Sequence, residues 1–250
     1  MHMKWFVALC ALSISATAYA SSCSQFSPAG LEPELTNPKM VRQARLICYS
    51  DFEVLHSGIT HTPLWSAEHL TAVHLAKAKD QVRTNRFFAE RRLPVGEGAT
   101  LADYRSSGFD RGHMSPAGDR WNPQAMAESF SLANMIPQNP KNNRRLWARV
   151  EDAVRAMAVR NGEAYVVTGP MFHGGELQTI GESRVIVPTE IYKLVYLPSR
   201  QMAFAIVVKN SDTQRYDIET VHQLEAVSGL RFPGVPERLK DSKPGELSGV

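Results

Sequence analysis

Cysteine is scarce in this 250-residue chain, which holds only Cys10, Cys23 and Cys48. None has a second cysteine within ligand spacing, and that excludes a thiolate zinc module. Long apolar runs are missing beyond the first twenty residues, so nothing after them approaches the roughly 20 apolar residues of a membrane span. Internal repeats, low-complexity tracts and linkers are absent too, which removes solenoid and bead-on-string architectures. A net charge of only +3 does not by itself name a polyanionic partner; the placement of the basic residues has to do that. With 43% hydrophobic residues, the chain has ample material for one buried core.

The first twenty residues read as an export signal rather than as fold. Lys4 supplies a positive start, "WFVALCALSISA" an apolar stretch of signal-peptide length, and Ala18-Tyr19-Ala20 a small-x-small cleavage site. Cleavage after Ala20 would send the chain to the periplasm or the medium, with no membrane attachment. Cys10 leaves with the signal, and two cysteines in an oxidising compartment usually pair. A Cys23–Cys48 bridge is therefore expected.

Residues 21–250 read as a single α+β domain, a mixed, mainly antiparallel sheet flanked by helices. "RLICYSDFEVLHS" alternates like a strand closed by Gly58, and "PLWSAEHLTAVHL" is read as a second strand. The polar run from Lys77 to Gly108 is a surface excursion. In "WNPQAMAESFSLANM", Asn122 and Pro123 supply an N-cap and a first helical position. The strongest helix is "PKNNRRLWARVEDAVRAMAVRNG", with apolar residues at 146, 147, 150, 154, 157 and 158 and a stop at Gly162. Three β-rich runs follow ("EAYVVTGPMF", "SRVIVPTEIYKLVYLP", "MAFAIVVK"), then a short helix in "TVHQLEAVSGLRFP". From about Pro236 the chain is polar and expected to be loose.

The chemistry concentrates in "FDRGHMSPAGDR". His113 has the proton affinity of a general base at neutral pH, although a histidine in a turn is more often structural. Strand alternation puts Arg111 on the same face, where a guanidinium would stabilise charge on a phosphoryl centre. Asn143 and Glu151 fall on the long helix about 80° apart around its axis, on one half. An amide oxygen, a carboxylate and retained waters are hard ligands that suit Mg²⁺. Equally, Asn143 could cap the helix and Glu151 could pair with Arg155, and the spacing leaves both open.

"DRGHMSPAGDR", "SLANMIPQNPKNNRRLWARVED" and "VVTGPMF", in that order, resemble the DNA/RNA non-specific endonuclease family, of the ββα-metal (His-Me finger) type. The resemblance runs from about Asp103 to Phe172. It implies a ββα-metal active site in which His113 activates the attacking water and Asn143 is the direct Mg²⁺ ligand. Water would fill the other ligand positions, and Mn²⁺ could substitute. Glu151 would hold one of those waters, Arg111 would help bind the scissile phosphate, Asn134 would support the site and Asp110 would orient a neighbour. DNA and RNA backbones would be cut with little sequence preference, leaving 5′-phosphate ends. Monomer and homodimer both stay open, as does an inhibitor protein.

One position departs from the family pattern. Aligned on Leu93-Pro94, Phe88 falls where a phosphate-contacting arginine is usual. Arg86, two positions away, is carried over for substrate binding, with Arg83 as the other candidate. Arg144 and Arg145, with Lys141 and Arg149, form a basic cluster at the helix start that would hold backbone phosphates. Trp147 is read as packing and His173 as a loop residue, and His56, His61, His69 and His74 form no metal spacing. Two rival readings stand beside the nuclease: a non-catalytic nucleic-acid-binding protein, and a phosphodiesterase of small nucleotides.

Overall fold

The computed structural model describes residues 23–245, so the expected export signal and cleavage site lie outside the described part. The chain runs through β1 (Ala44–Cys48), β2 (Glu53–Ser57) and β3 (Thr62–Thr71) into helix α1 (Ala72–Ala78). A largely irregular excursion leads to β4 (Asp110–His113), helix α2 (Pro123–Glu128) and β5 (Met135–Gln138). The long helix opens with a π-helical stretch, Asn142–Trp147, and continues as α3 (Ala148–Asn161). Strands β6 (Glu163–Met171), β7 (Glu190–Leu197), β8 (Met202–Lys209) and β9 (Asp217–Glu219) follow, then helix α4 (Val221–Ser228).

Seven strands form one sheet in the order β9-β8-β7-β6-β3-β2-β1, with every neighbouring pair antiparallel. Strands β4 and β5 pair only with each other, as a separate antiparallel ribbon. Both faces of the large sheet are covered, which explains why "MAFAIVVK" shows no polar alternation. Phe204, Ile206 and Val208 pack under α3 with Trp147, Val150, Val154 and Met157. Ala203, Ala205 and Val207 face α4 and the C-terminal segment, with Leu224, Leu230, Phe232 and Leu239. Each fully buried large aliphatic or aromatic side chain contributes about 1.5–3 kcal/mol. All six expected apolar positions of the long helix are buried, and Gly162 ends it with φ 89°.

Three element boundaries differ from the sequence reading. "RLICYSDFEVLHS" is two strands, reversed where Tyr49 N–H donates to the Phe52 carbonyl at 2.9 Å. The turn was hidden because Tyr49 and Phe52 are themselves buried, their rings stacked 4.4 Å apart beside Ile47 and Val54. "PLWSAEHLTAVHL" is a strand only to Thr71, whose hydroxyl accepts from His74 N–H and starts α1. "SRVIVPTEIYKLVYLP" splits at Pro188 into the short strand Val185–Ile186 and β7, since proline cannot donate to a ladder.

The stretch after Pro236, expected to be loose, carries definite contacts. Leu239 and Lys240 are buried, Lys240 Nζ lies 2.8 Å from Glu225, and His222 bonds Asp241 and Glu237, each at 2.8 Å.

Cys23 and Cys48 form the expected disulfide, tying the start of the described chain to edge strand β1. The bridge closes a loop of sequence separation 25, worth about 3 kcal/mol in the chain-entropy account. Cys48→Ser is therefore expected to lower the unfolding free energy by about that amount in urea titration. An unchanged midpoint would mean that the bridge adds no stability.

Candidate active site

The β4–β5 ribbon and the start of the long helix together make a ββα unit. Its register pairs Arg111 with Pro137, Gly112 with Ile136 and His113 with Met135. Gly112 is required here, because a Cβ on it would lie 2.6 Å from the Gln138 Cβ. Arg111 and His113 consequently point the same way, as alternation predicts. They line a cleft of about 260 Å³ together with Asn143, Glu151, Arg83 and Arg155.

His113 is buried among aromatic rings. Phe130 meets it edge-on at 5.1 Å between centroids, and Phe87 lies tilted at 5.8 Å. Burial, followed by the nearby charges of Arg83, Arg120 and Arg111, pushes its pKa down to about 3. The imidazole is thus neutral at physiological pH, and its Nε2 has no hydrogen-bond partner among the described residues. The same aromatic pair props two cations: Arg111 stands 4.3 Å above Phe87 and Arg83 5.1 Å from Phe130.

Asn143 does not cap the helix. Asn139 does, accepting from the Lys141 and Asn142 N–H groups. The Asn143 amide nitrogen instead donates to Asp110 Oδ2 at 2.9 Å. An ionised carboxylate only accepts, so this bond fixes which way the amide faces and leaves Oδ1 as an available hard oxygen. The Glu151 carboxyl, one helical segment further on, makes no ion pair or hydrogen bond with any described residue. Its carboxyl is pushed up to about 7, first by burial, with Lys193 and Arg155 pulling the other way. A π-helical turn before α3 is a common device for re-aiming side chains at functional sites.

The donor set fits a hard divalent cation: one free amide oxygen and one unpaired carboxylate in a polar cleft. Among the described residues, no group of three or more His, Cys, Asp or Glu side chains is placed to hold a metal. A cation here would therefore be held by few protein atoms and several waters.

Other expected residues take different places. Arg86 is exposed and does not line the cleft; Arg83 does. Arg144 is bidentate on Asp110 at 2.9 and 2.7 Å, and Arg145 is exposed; neither lines the cleft. Asn134 is fully buried and reaches no cleft surface. It braces the loop after His113 by accepting from Ser115 N–H and donating to the Ser115 and Ser129 carbonyls, all within 3.0 Å. Trp147 is fully buried, as expected of a packing residue.

Sequence reasoning missed three contributors. Arg155 lines the cleft and pairs with Asp119 at 2.7 Å and Asp152, not with Glu151; its four-residue offset from Glu151 was the available signal. Arg120 and Glu68 form a buried ion pair beneath the loop after His113. Arg120 also donates to the Pro116 and Asp51 carbonyls, and Glu68 accepts from Ser115 Oγ. Phe87 and Phe130, the third contributor, looked like ordinary apolar residues.

A family model described as DNA/RNA non-specific endonuclease matches residues 34–237. Among curated relatives, "Nuclease EXOG, mitochondrial" of Xenopus laevis is 33% identical over 217 residues, covering 78% of this chain and 60% of the frog protein. "Endonuclease G, mitochondrial" of Homo sapiens is 33% identical over 228 residues, covering 84% and 72%. A chain in the crystal structure of the EndoG/EndoGI complex matches with a TM-score of 0.72 at 27% identity, over 78% of this chain and 88% of that one. The chain spans 60% of the length of the frog nuclease.

The depressed pKa of His113 has a consequence for stability. Unfolding lets this histidine bind a proton that the folded protein refuses between pH 6.5 and about 3. Folding stability should therefore fall as pH drops through that window. His113→Leu should lose less stability than the parent between pH 6.5 and 4 in urea unfolding. Parallel losses in the two proteins would contradict the buried, neutral imidazole.

Proposed function

The chain belongs to the DNA/RNA non-specific endonuclease family, and from that premise we propose that it is an exported, Mg²⁺-dependent nuclease hydrolysing the backbones of DNA and RNA with little sequence preference. The observation that carries this reading is the meeting, in one polar cleft, of a neutral imidazole with an amide oxygen turned free by Asp110. A binding protein would need neither group. Three basic groups line the cleft, Arg83 exposed and Arg111 and Arg155 partly so, and such a set suits a phosphate backbone.

In this reading His113, uncharged before reaction, takes a proton from the attacking water. Arg111 and Arg83, both propped on aromatic rings, hold non-bridging phosphate oxygens and the charge that grows on them. Asn143 would hold the cation through Oδ1, and Glu151 would hold one of its waters. When bound, that ion supplies positive charge beside the departing 3′ oxygen, so the product ends carry the 5′-phosphate. Mn²⁺ should serve in its place. Asn134, Glu68 and Arg120 are positioning residues, acting through the loop that follows His113. Arg155 lines the same cleft as Arg83. Export is supported by the leader-like first twenty residues and by a disulfide of the kind that persists in oxidising compartments.

Purified protein is expected to nick and then degrade plasmid DNA and to cut RNA in Mg²⁺, with EDTA abolishing both. His113→Ala should lose nearly all turnover while keeping DNA affinity within a few fold. Arg83→Ala should raise KM clearly more than Arg86→Ala, because only Arg83 lines the cleft. Correctly folded protein that binds DNA but never cuts it would return the argument to the binding-protein reading.

A further inference from the structure

A second feature beside the cleft takes no part in the chemistry above. Trp121 lies three residues beyond Gly118, which with Pro116 and Ala117 forms part of the cleft wall. The His74 ring is stacked on the Trp121 indole, 4.4 Å between centroids and 15° between planes. Lys77, one turn along α1 from His74, holds its Nζ 5.2 Å from the indole centroid. The Trp121 Nε1–H donates to Asp51 Oδ1 at 2.9 Å, which fixes the orientation of the plane. The Asp51 charge is itself held by Arg120, at 3.1 Å.

Trp121 and His74 are both partly exposed, and Lys77 is exposed. Trp65 and Trp147, by contrast, are buried in the core. From Lys77 the chain continues through Lys79 to Arg83 on the cleft wall, so cationic side chains connect the two places.

Resting on the nuclease reading and extending it, we propose that the Trp121–His74–Lys77 patch is a stacking subsite for an unpaired nucleobase flanking the scissile phosphate. The His74 ring already covers one indole face, so a base would stack on the aromatic surface that the Trp121–His74 pair leaves exposed. Such a surface accepts any base, because every base has a π-face, and a neighbouring ammonium meets the adjoining phosphate. Duplex bases are stacked on one another and cannot reach such a plane. The subsite therefore adds affinity for single strands and for melted ends, and adds none for intact duplex. It selects by strandedness and not by base identity, in keeping with an enzyme indifferent to sequence.

Trp65 and Trp147 are buried, so the test is direct on protein that begins after Ala20 and therefore lacks Trp5. The protein is titrated in EDTA and low salt with a fluorescein-labelled dT oligonucleotide and with a labelled hairpin duplex of equal length whose loop is a non-nucleotide linker. Tryptophan emission is followed in one channel and anisotropy of the label in another. The single strand should quench the emission and the hairpin should not, and the quenching should vanish in Trp121→Phe while binding persists. Lys77→Gln, at an exposed position that leaves folding intact, should weaken single-strand binding and spare the duplex. Removing the plane with Trp121→Leu should weaken it about fivefold or more, the lower range for base–aromatic stacking. Single-strand binding by anisotropy without quenching would overturn the proposal, as would equal losses for strand and hairpin. If neither probe binds, the nuclease reading itself fails, a result distinct from both.

Discussion

The packing of the long helix against the large sheet is the constraint on which the site depends. Trp147, Val150, Val154 and Met157 lock α3 onto Ile191, Val195, Phe204 and Ile206. That contact sets both the rotation and the height of the helix. Only in this seating do Asn143 and Glu151 meet the side chains carried by β4. The ribbon strand is located from its other side by Gly112, lying flat on Gln138. Cleft geometry is therefore inherited from core packing, and the reacting groups contribute little to their own placement.

A second theme is the number of charges held out of water around the cleft. Glu68 and Arg120 are both fully buried, and Lys193 sits in the core with one hydrogen bond to Thr168 and the Trp147 ring 5.5 Å away. Pairs of this kind seldom stabilise a fold more than apolar residues of the same size would. Here they bridge the sheet to the loop after His113, and they make the cleft floor a region of fixed charge. Burial first, and the neighbouring cations second, keep the imidazole without a proton, while burial raises the Glu151 carboxyl against the pull of Lys193 and Arg155.

Legibility from sequence divided along the range of each interaction. The sheet, the long helix and the pairing of Arg111 with His113 follow from periodicity, which is local. The Cys23–Cys48 bridge followed from counting. The β1–β2 reversal was concealed because Tyr49 and Phe52 continue the apolar pattern through a turn. Arg83 could not be separated from Arg86, since their positions depend on an irregular path with no period. Glu68 and Arg120 lie 52 positions apart and meet only through the fold. Asp110 was read as an orienting partner, but that it would occupy Arg144 as well as Asn143 could not be inferred from spacing. The family resemblance, spanning the ribbon and helix, supplied the roles that periodicity could not.

The aromatic grip on His113 has one more implication. Phe130 and Phe87 flank the ring on two sides, and its Nε2 has no described protein group to which it could pass a proton. Any proton acquired there has to depart by the route it came, through solvent or departing product, so emptying the cleft also resets the base.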